Sequence, residues 1–192
     1  MENRLIDYFL KITTLTAEEI KALTDSMVVR ECQKGDFLLK DGQRNADTFF
    51  IMTGLVRQYK LTDREEITTN FFSEGQWIIS LTSFTDDTST SDYLVCEENI
   101  SVVVGNEQKA QEIFQQFPRL ETVSRVVMET VFAEQQKLLL SYHTDTPEQR
   151  YLSLLKNRPD IFQRVPQYHI ASYIGVKPES LSRIRKRIMS ND

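Results

Sequence analysis

The sequence predicts an α+β chain: an N-terminal antiparallel β-roll, jelly-roll-like and flanked by helices, then one long helix, then a small helical head. Three observations carry this reading. Between residues 27 and 104, short runs of β-branched and aromatic residues alternate with turn residues. Residues 119–142 contain neither Gly nor Pro. Near the C-terminus, two short helical patterns meet at Gly175. Together they mark a change of hydrophobic period from strand-like to helix-like along the chain.

Each element has a local cause. Thr16-Ala17-Glu18-Glu19 is a capping box, with Thr16 as cap and Glu19 at the third helical position, and Ile20 and Leu23 follow at helical spacing. Eight β-rich runs come next, at 27–30, 37–39, 48–52, 56–59, 67–72, 77–79, 93–96 and 100–104, with Gly35, Gly42, Gly54 and Gly75 between or beside them. Short strands separated by turns about every ten residues are the pattern of an antiparallel barrel or jelly roll. Residues 82–92 form a long polar Thr/Ser/Asp loop inside this series, and such loops in compact domains often serve function.

Residues 107–117 read as a helix stopped by Pro118. The stretch 119–142 then places Leu120, Val123, Val126, Val127, Val131, Leu138 and Leu139 on more than one side of a long helix. One side packs on its own domain; a second copy of the chain is the economical partner for the other, so a homodimer is expected. Thr146-Pro147-Glu148-Gln149 restarts a helix with a cap, a first-position proline and a closing Gln149. That places a hinge at 143–146. The units are therefore a β-roll sensor domain over 1–118, a dimerisation helix and hinge over 119–145, and a helix-turn-helix domain over 146–192.

Composition bounds the function. An apolar content of 40% with 27% charged residues suits a water-soluble chain with a real core. No apolar run has transmembrane length and no N-terminal signal region is present, so a cytoplasmic location without membrane contact is expected. Cys32 and Cys96 are far apart and only His143 and His169 are available as histidines. That leaves too few ligands for a zinc or iron–sulfur centre, so no metal is expected. No histidine precedes His143, which also counts against a metal-dependent enzyme built on the roll. No catalytic residues are expected. Net charge is −5, yet Lys177, Arg183, Arg185, Lys186 and Arg187 crowd the C-terminal end against one acid, Glu179. A basic face on an acidic body suits a protein that offers nucleic acid one surface.

The segment Ile170-Ala171-Ser172-Tyr173-Ile174-Gly175-Val176-Lys177-Pro178-Glu179-Ser180-Leu181-Ser182-Arg183-Ile184 sharpens this. Gly175 supplies the positive φ of a tight inter-helix turn, and Pro178 opens the second helix. Leu181, Ile184 and Ile188 share one face with the inward Ile170 and Ile174, leaving Glu179, Ser182, Arg183 and Lys186 outside. Arginine can pair with guanine O6 and N7, and glutamate can accept from cytosine N4.

This segment resembles the helix-turn-helix of the Crp–Fnr family of bacterial transcription regulators. Lys34-Gly35-Asp36, Phe50-Ile51-Met52-Thr53-Gly54-Leu55-Val56-Arg57 and Glu74-Gly75-Gln76-Trp77-Ile78 look like landmarks of that family's cyclic-nucleotide-binding β-roll, in the same order. The resemblance implies a non-enzymatic, dimeric regulator that binds double-stranded DNA on a palindromic site and works with RNA polymerase. It places Pro178, Glu179 and Arg183 at base-reading positions, and Ser180, Ser182, Lys186 and Arg187 at phosphate or secondary contacts. It places Trp77, Ser80, Leu81, Thr90 and Ser91 around the ligand pocket. An alternative reading is a small-molecule sensor or protein-interaction module that no longer reads DNA.

The sequence departs from the family in two ways. The family's pocket resembles a cassette with a Gly-Glu pair and, further on, an Arg-Ser or Arg-Ala pair. The matching positions here are Ile79-Ser80 and Thr90-Ser91, and no Lys or Arg occurs over 77–104. A buried cyclic phosphate without a cation is costly, so no cyclic nucleotide or other cofactor is expected, and the effector is left open. The chain also ends at Asp192, directly after the recognition helix, where the family pattern continues into a β-hairpin wing; a head without that wing is expected.

Overall fold

The computed structural model describes residues 3–43, 47–62, 65–79 and 91–190. Residues 82–90 of the polar loop lie outside the described residues, as do Ser80 and Leu81. Two helices lead in, α1 (Arg4–Ile12) and α2 (Ala17–Ser26). Helix α2 starts on the expected capping box: Thr16 Oγ1 accepts from the Glu19 N–H at 3.2 Å, and the Glu19 carboxylate accepts from the Thr16 N–H at 2.8 Å. Helix α1 precedes the first helix that the sequence predicts. Its signal is Asn3, which caps the Ile6 N–H, together with the buried pair Leu5 and Ile6.

Eight strands follow among the described residues: β1 (Val28–Cys32), β2 (Phe37–Leu39), β3 (Asp47–Thr53), β4 (Val56–Leu61), β5 (Glu66–Phe72), β6 (Trp77–Ile78), β7 (Asp92–Cys96) and β8 (Ile100–Asn106). All pair antiparallel, in two four-stranded sheets ordered β1-β8-β3-β6 and β2-β7-β4-β5. This is the α+β β-roll that the sequence predicts. Phe49, Ile51, Val56, Phe72, Leu94, Ile100 and Val102 fill the space between the sheets. Strand β3 has both faces buried, because Phe50 points the other way and packs with Leu5 and Val103. Gly54, between β3 and β4, has φ +91°, and a Cβ there would lie 2.6 Å from the Asn99 carbonyl oxygen, so only glycine fits.

Helix α3 (Glu107–Gln116) is followed by the long helix α4 (Arg119–Thr144), 26 residues and about 39 Å. Leu120, Val123, Val127 and Val131 are its buried stripe. Phe132, Leu139 and Leu140 stand at least half exposed on other faces, so α4 is apolar on two sides. Among the described residues, no helix is long and apolar enough to cross a membrane. The head comprises α5 (Pro147–Asn157), α6 (Ile161–Arg164), α7 (Gln167–Tyr173) and α8 (Pro178–Met189). Thr146 makes the expected capping box with Gln149.

The head is seated on the β-roll. Its apolar core (Tyr151, Leu154, Ile161, Ile170, Ile174, Leu181 and Ile184) is completed by Leu55 and Phe71 from the roll. Polar contacts lock the seating. Arg164 forks onto two roll carboxylates, with Nε to Glu98 Oε1 at 2.8 Å, Nη2 to Glu98 Oε2 at 2.6 Å and Nη1 to Glu74 Oε2 at 3.0 Å. Arg158 Nη2 donates to Ser73 Oγ at 3.0 Å, and the Thr68 N–H of β5 donates to Ser172 Oγ at 2.9 Å. The hinge is strapped as well: Arg150 donates to the carbonyls of Asp145 and Ile174, and the Tyr142 hydroxyl to the Tyr173 carbonyl.

Two titrating groups sit in this seam. Burial raises the Glu74 carboxyl, but hydrogen bonds from Arg164 and from the Gly54 N–H outweigh it and hold Glu74 below its ordinary value. His169, 8% exposed, has Nε2 3.7 Å from Glu97 Oε1, the carboxylate that also accepts from Arg57 Nε at 2.6 Å. Burial first, then the Arg57 charge, lowers the His169 value, against the pull of Glu97 and Glu66.

Two outcomes follow from the seam. Arg164→Ala strands Glu74 and Glu98 in a partly buried site, and should lower the unfolding free energy in urea by about 2 kcal/mol, at the low end for buried pairs because the carboxylates keep some solvent. A loss under about 0.5 kcal/mol would mean that the carboxylates simply rehydrate. For His169, a lowered folded value means that the unfolded chain takes the proton more readily, so stability rises with pH. The contribution is complete above the ordinary value of about 6.5 and is lost as pH falls through the folded value. The melting temperature should therefore drop more between pH 7.5 and 5.5 for the native chain than for His169→Gln. Equal drops would remove His169 from the seam's pH response.

Candidate nucleic-acid interface

The helix-turn-helix is built by α7, the turn at Ile174–Lys177 and α8. The turn closes as a Schellman motif: the Gly175 N–H donates to Ser172 O at 3.0 Å and the Val176 N–H to Ala171 O at 2.9 Å. Gly175 has φ +77°, the conformation that such a cap needs at this position. Val176 packs on the head core. Lys177 caps α8 without a side-chain hydrogen bond, and Pro178 takes the first turn.

Burying Leu181 and Ile184 fixes the rotation of α8, and so decides what faces solvent. Pro178, Glu179, Ser182, Arg183, Lys186 and Arg187 are exposed and Ser180 is half-buried. These seven are the residues singled out from the sequence, and the fold brings them to one end of the molecule on one helix. Their states differ. Ser182 Oγ turns inward and donates to Pro178 O at 3.2 Å. Arg187 is paired with Glu148 of α5. Glu179, Arg183 and Lys186 have no side-chain partner among the described residues, and Glu179 and Arg183 form no ion pair with each other despite their spacing of four.

Three further basic side chains hold α8 and the head in place, and two of them, Lys177 and Arg185, belong to the basic run near the C-terminus. Lys177 Nζ contacts Glu65 at 2.8 Å, tying the start of α8 to the turn between β4 and β5. Arg185 Nη1 donates to Gln167 Oε1 at 2.9 Å, joining α8 to the start of α7. Arg164 sets the pitch of the whole head on the roll. Arg164 has one near partner, Asp160, four residues back at 3.4 Å, but no sequence signal marks Glu65 as the partner of Lys177 or Glu74 and Glu98 as partners of Arg164, all 65 or more residues away. The Arg185–Gln167 pair, by contrast, sits within the motif itself.

Of the five expected pocket residues, Trp77 and Ser91 are among the described residues. Trp77 packs on Phe50 with ring centroids 5.0 Å apart and on Tyr8 at 6.3 Å, beneath α1. Ser91 is exposed, and Ser80, Leu81 and Thr90 lie outside the described residues. A cavity of about 470 Å³ lies between the sheet carrying β4 and β5, helix α4 and the head, with Gln58, Lys60, Asn70, Asp92, Gln135 and Tyr142 among its walls. Lys60 is its one cation among the described lining residues, and it faces Asp92 at 3.9 Å. A cation is thus present, from a strand outside the cation-free stretch 77–104, but a carboxylate already sits beside it.

Comparison with known proteins agrees with this architecture. Residues 29–117 match the family described as the cyclic nucleotide-binding domain. The chain is 24% identical over 194 residues to the transcriptional activator protein Anr of Pseudomonas aeruginosa, covering 93% of this chain and 78% of that protein. Among solved structures, it is similar to the c-di-GMP-responsive global regulator CLP of Xanthomonas campestris, with TM-score 0.69 and 16% identity over 92% of this chain and 93% of that one. It is also similar to a crp/fnr-family regulator from Eubacterium rectale, with TM-score 0.67 and 16% identity over 92% and 85% of the two chains. Residues 29–117 are thus similar to the cyclic nucleotide-binding domain, and the chain shares its fold with these solved regulators.

Proposed function

We propose that the chain is a homodimeric, sequence-specific regulator of transcription that binds double-stranded DNA in the bacterial cytoplasm, acts with RNA polymerase, and catalyses no reaction. Its units are the sensor roll over 1–118, the dimerisation helix and hinge over 119–145, and the DNA-binding domain over 146–192. The observation that carries this is the unpaired outer face of α8: Glu179, Arg183 and Lys186 are exposed with no partner among the described residues. An arginine held ready on a helix of fixed rotation suits bidentate contact with guanine in the major groove. Pro178 and Glu179 complete the base-reading set; Ser180, Ser182, Lys186 and Arg187 supply backbone contacts.

The exposed apolar face of α4 supports the dimer. Phe132, Leu139 and Leu140 are 50%, 54% and 61% exposed, on the helix whose other face is buried in its own chain. Two α4 helices packed along this face would present two α8 helices to successive major grooves. A cyclic nucleotide is not the proposed signal. Among the described lining residues of the α4-side cavity, the single cation Lys60 is already beside Asp92, and a buried phosphate would meet that carboxylate.

Selection from a random DNA pool at two salt concentrations tests the reading. The native chain should enrich a palindrome and lose affinity steeply as salt rises. Arg183→Ala should weaken the selected site by about 1–3 kcal/mol, roughly fivefold to 150-fold, and relax one base position per half-site. Unchanged selectivity would remove Arg183 from base reading. Leu139→Asp should convert the dimer to monomer in sedimentation at micromolar concentration, and weaken full-site more than half-site binding. A monomeric native chain would defeat the two-half-site arrangement.

A further inference from the structure

A second cavity, of about 340 Å³, lies where α1, α2, α3 and α4 close over the outer face of the β1-β8-β3-β6 sheet, and Ile79 lines both it and the cavity discussed above. Its walls are apolar and come from every one of these elements, among them Phe9, Met27, Trp77, Val103, Phe114 and Val127. It exists because Ala110 of α3 and Ser124 of α4 line it with short side chains, where larger ones would fill it. Lys109 and Glu107 also line it; both are exposed, and their charges oppose one another.

Two unfavourable features coincide here. Interiors are close-packed, and an apolar void of this size leaves its walls without contacts and holds no stable water. In addition, Trp77 lines the cavity, and its indole Nε1 is closed to water and has no hydrogen-bond partner among the described residues, so an acceptor in the cavity reaches it only when the occupant shifts the ring. A buried donor without an acceptor is penalised. One kind of occupant relieves both: an apolar body that fills the void, carrying one acceptor for Trp77. Charge is disfavoured, because most of the wall is apolar and the two charged lining residues, Lys109 and Glu107, are exposed and oppose one another.

We propose that this cavity is a binding site for an uncharged, largely apolar small molecule bearing one hydrogen-bond acceptor, such as a medium-chain ketone. At roughly 30 Å³ for each heavy atom in a liquid, the space takes about ten non-hydrogen atoms. Pockets for small ligands commonly combine an apolar wall with very few polar groups. Leu120, Val123 and Val127 of α4 form part of the wall, so the occupant would bear directly on the first half of the long helix.

Trp77 is the only tryptophan in the chain, so its emission reports on this site alone. The test titrates 2-nonanone into the full-length protein and reads Trp77 fluorescence beside native mass spectrometry. The expected result is a saturable change with one ketone per chain, and nonanoate binding at least tenfold more weakly. Ala110→Phe, which fills the void and leaves Trp77 in place, should weaken the ketone at least tenfold. Ser124→Leu, from the opposite wall, makes the same test should Ala110→Phe not fold. Three results would each overturn the site: no saturable change with the native chain, equal binding of nonanoate, or ketone binding that survives cavity filling. Should neither variant fold, the native chain's stoichiometry and its preference for ketone over nonanoate decide alone.

Discussion

The structure turns on Arg164. Its guanidinium meets Glu98 through two nitrogens and Glu74 through two contacts, and Glu74 in turn accepts the Gly54 N–H at 2.8 Å. One head side chain is thereby linked to the turn that joins the two sheets of the roll. A planar guanidinium held between two carboxylates has little rotational freedom, so it fixes an orientation as well as a distance. Beside it, Leu55 and Phe71 of the roll complete the head's apolar core. The ion pairs supply direction, and the shared apolar contact supplies most of the attraction.

This seating changes what the connection between the long helix and the head can do. The break at Asp145 and Thr146 looks like a free hinge in the sequence. In the fold, Arg150 caps the carbonyls on either side of it and lies over the Tyr142 ring at 5.3 Å, while Tyr142 reaches the turn of the helix-turn-helix. Moving the head therefore costs the strap, the Arg164 fork and the Leu55–Phe71 contact together. Strand β5 is at the centre of this arrangement. It pairs with β4, touches Ser172 of α7 and helps wall the α4-side cavity, so a change in that cavity reaches the head through one strand.

Local chemistry made most of the elements legible. The capping boxes at Thr16 and Thr146, the Schellman glycine at Gly175 and the inward face of Leu181 and Ile184 each depend on residues a few positions apart, and each is where the sequence puts it. The seven residues proposed to contact DNA share one helix for the same reason. What the sequence did not reveal is long-range. Glu74 and Glu98 are 90 and 66 residues from Arg164, and nothing in their neighbourhoods marks them as partners. Trp77 belongs to a β-roll landmark, yet strand alternation turns it toward Tyr8 and Phe9, away from the α4-side cavity. Lys60 reaches the cavity from a neighbouring strand, across a pairing that puts it opposite Asp92. Side-chain direction on a strand depends on register, and register is set by partners that a single sequence does not name.

The distribution of charge explains how an acidic chain can present a basic face. Lys177 is answered by Glu65 and Arg187 by Glu148, all four at least a third exposed. Pairs of this kind are worth at most about 1 kcal/mol, because water competes on every side. A phosphate arriving at either cation therefore displaces its partner at little cost, and the released carboxylate is simply rehydrated. Arg183 and Lys186 have no such partner among the described residues, so contact with them displaces nothing but water. On the proposed reading, this divides the face into two classes. The outer cations are exchanged in a salt-dependent, sequence-blind step, and the central arginine, on a helix whose rotation Leu181 and Ile184 fix, is left to discriminate between bases.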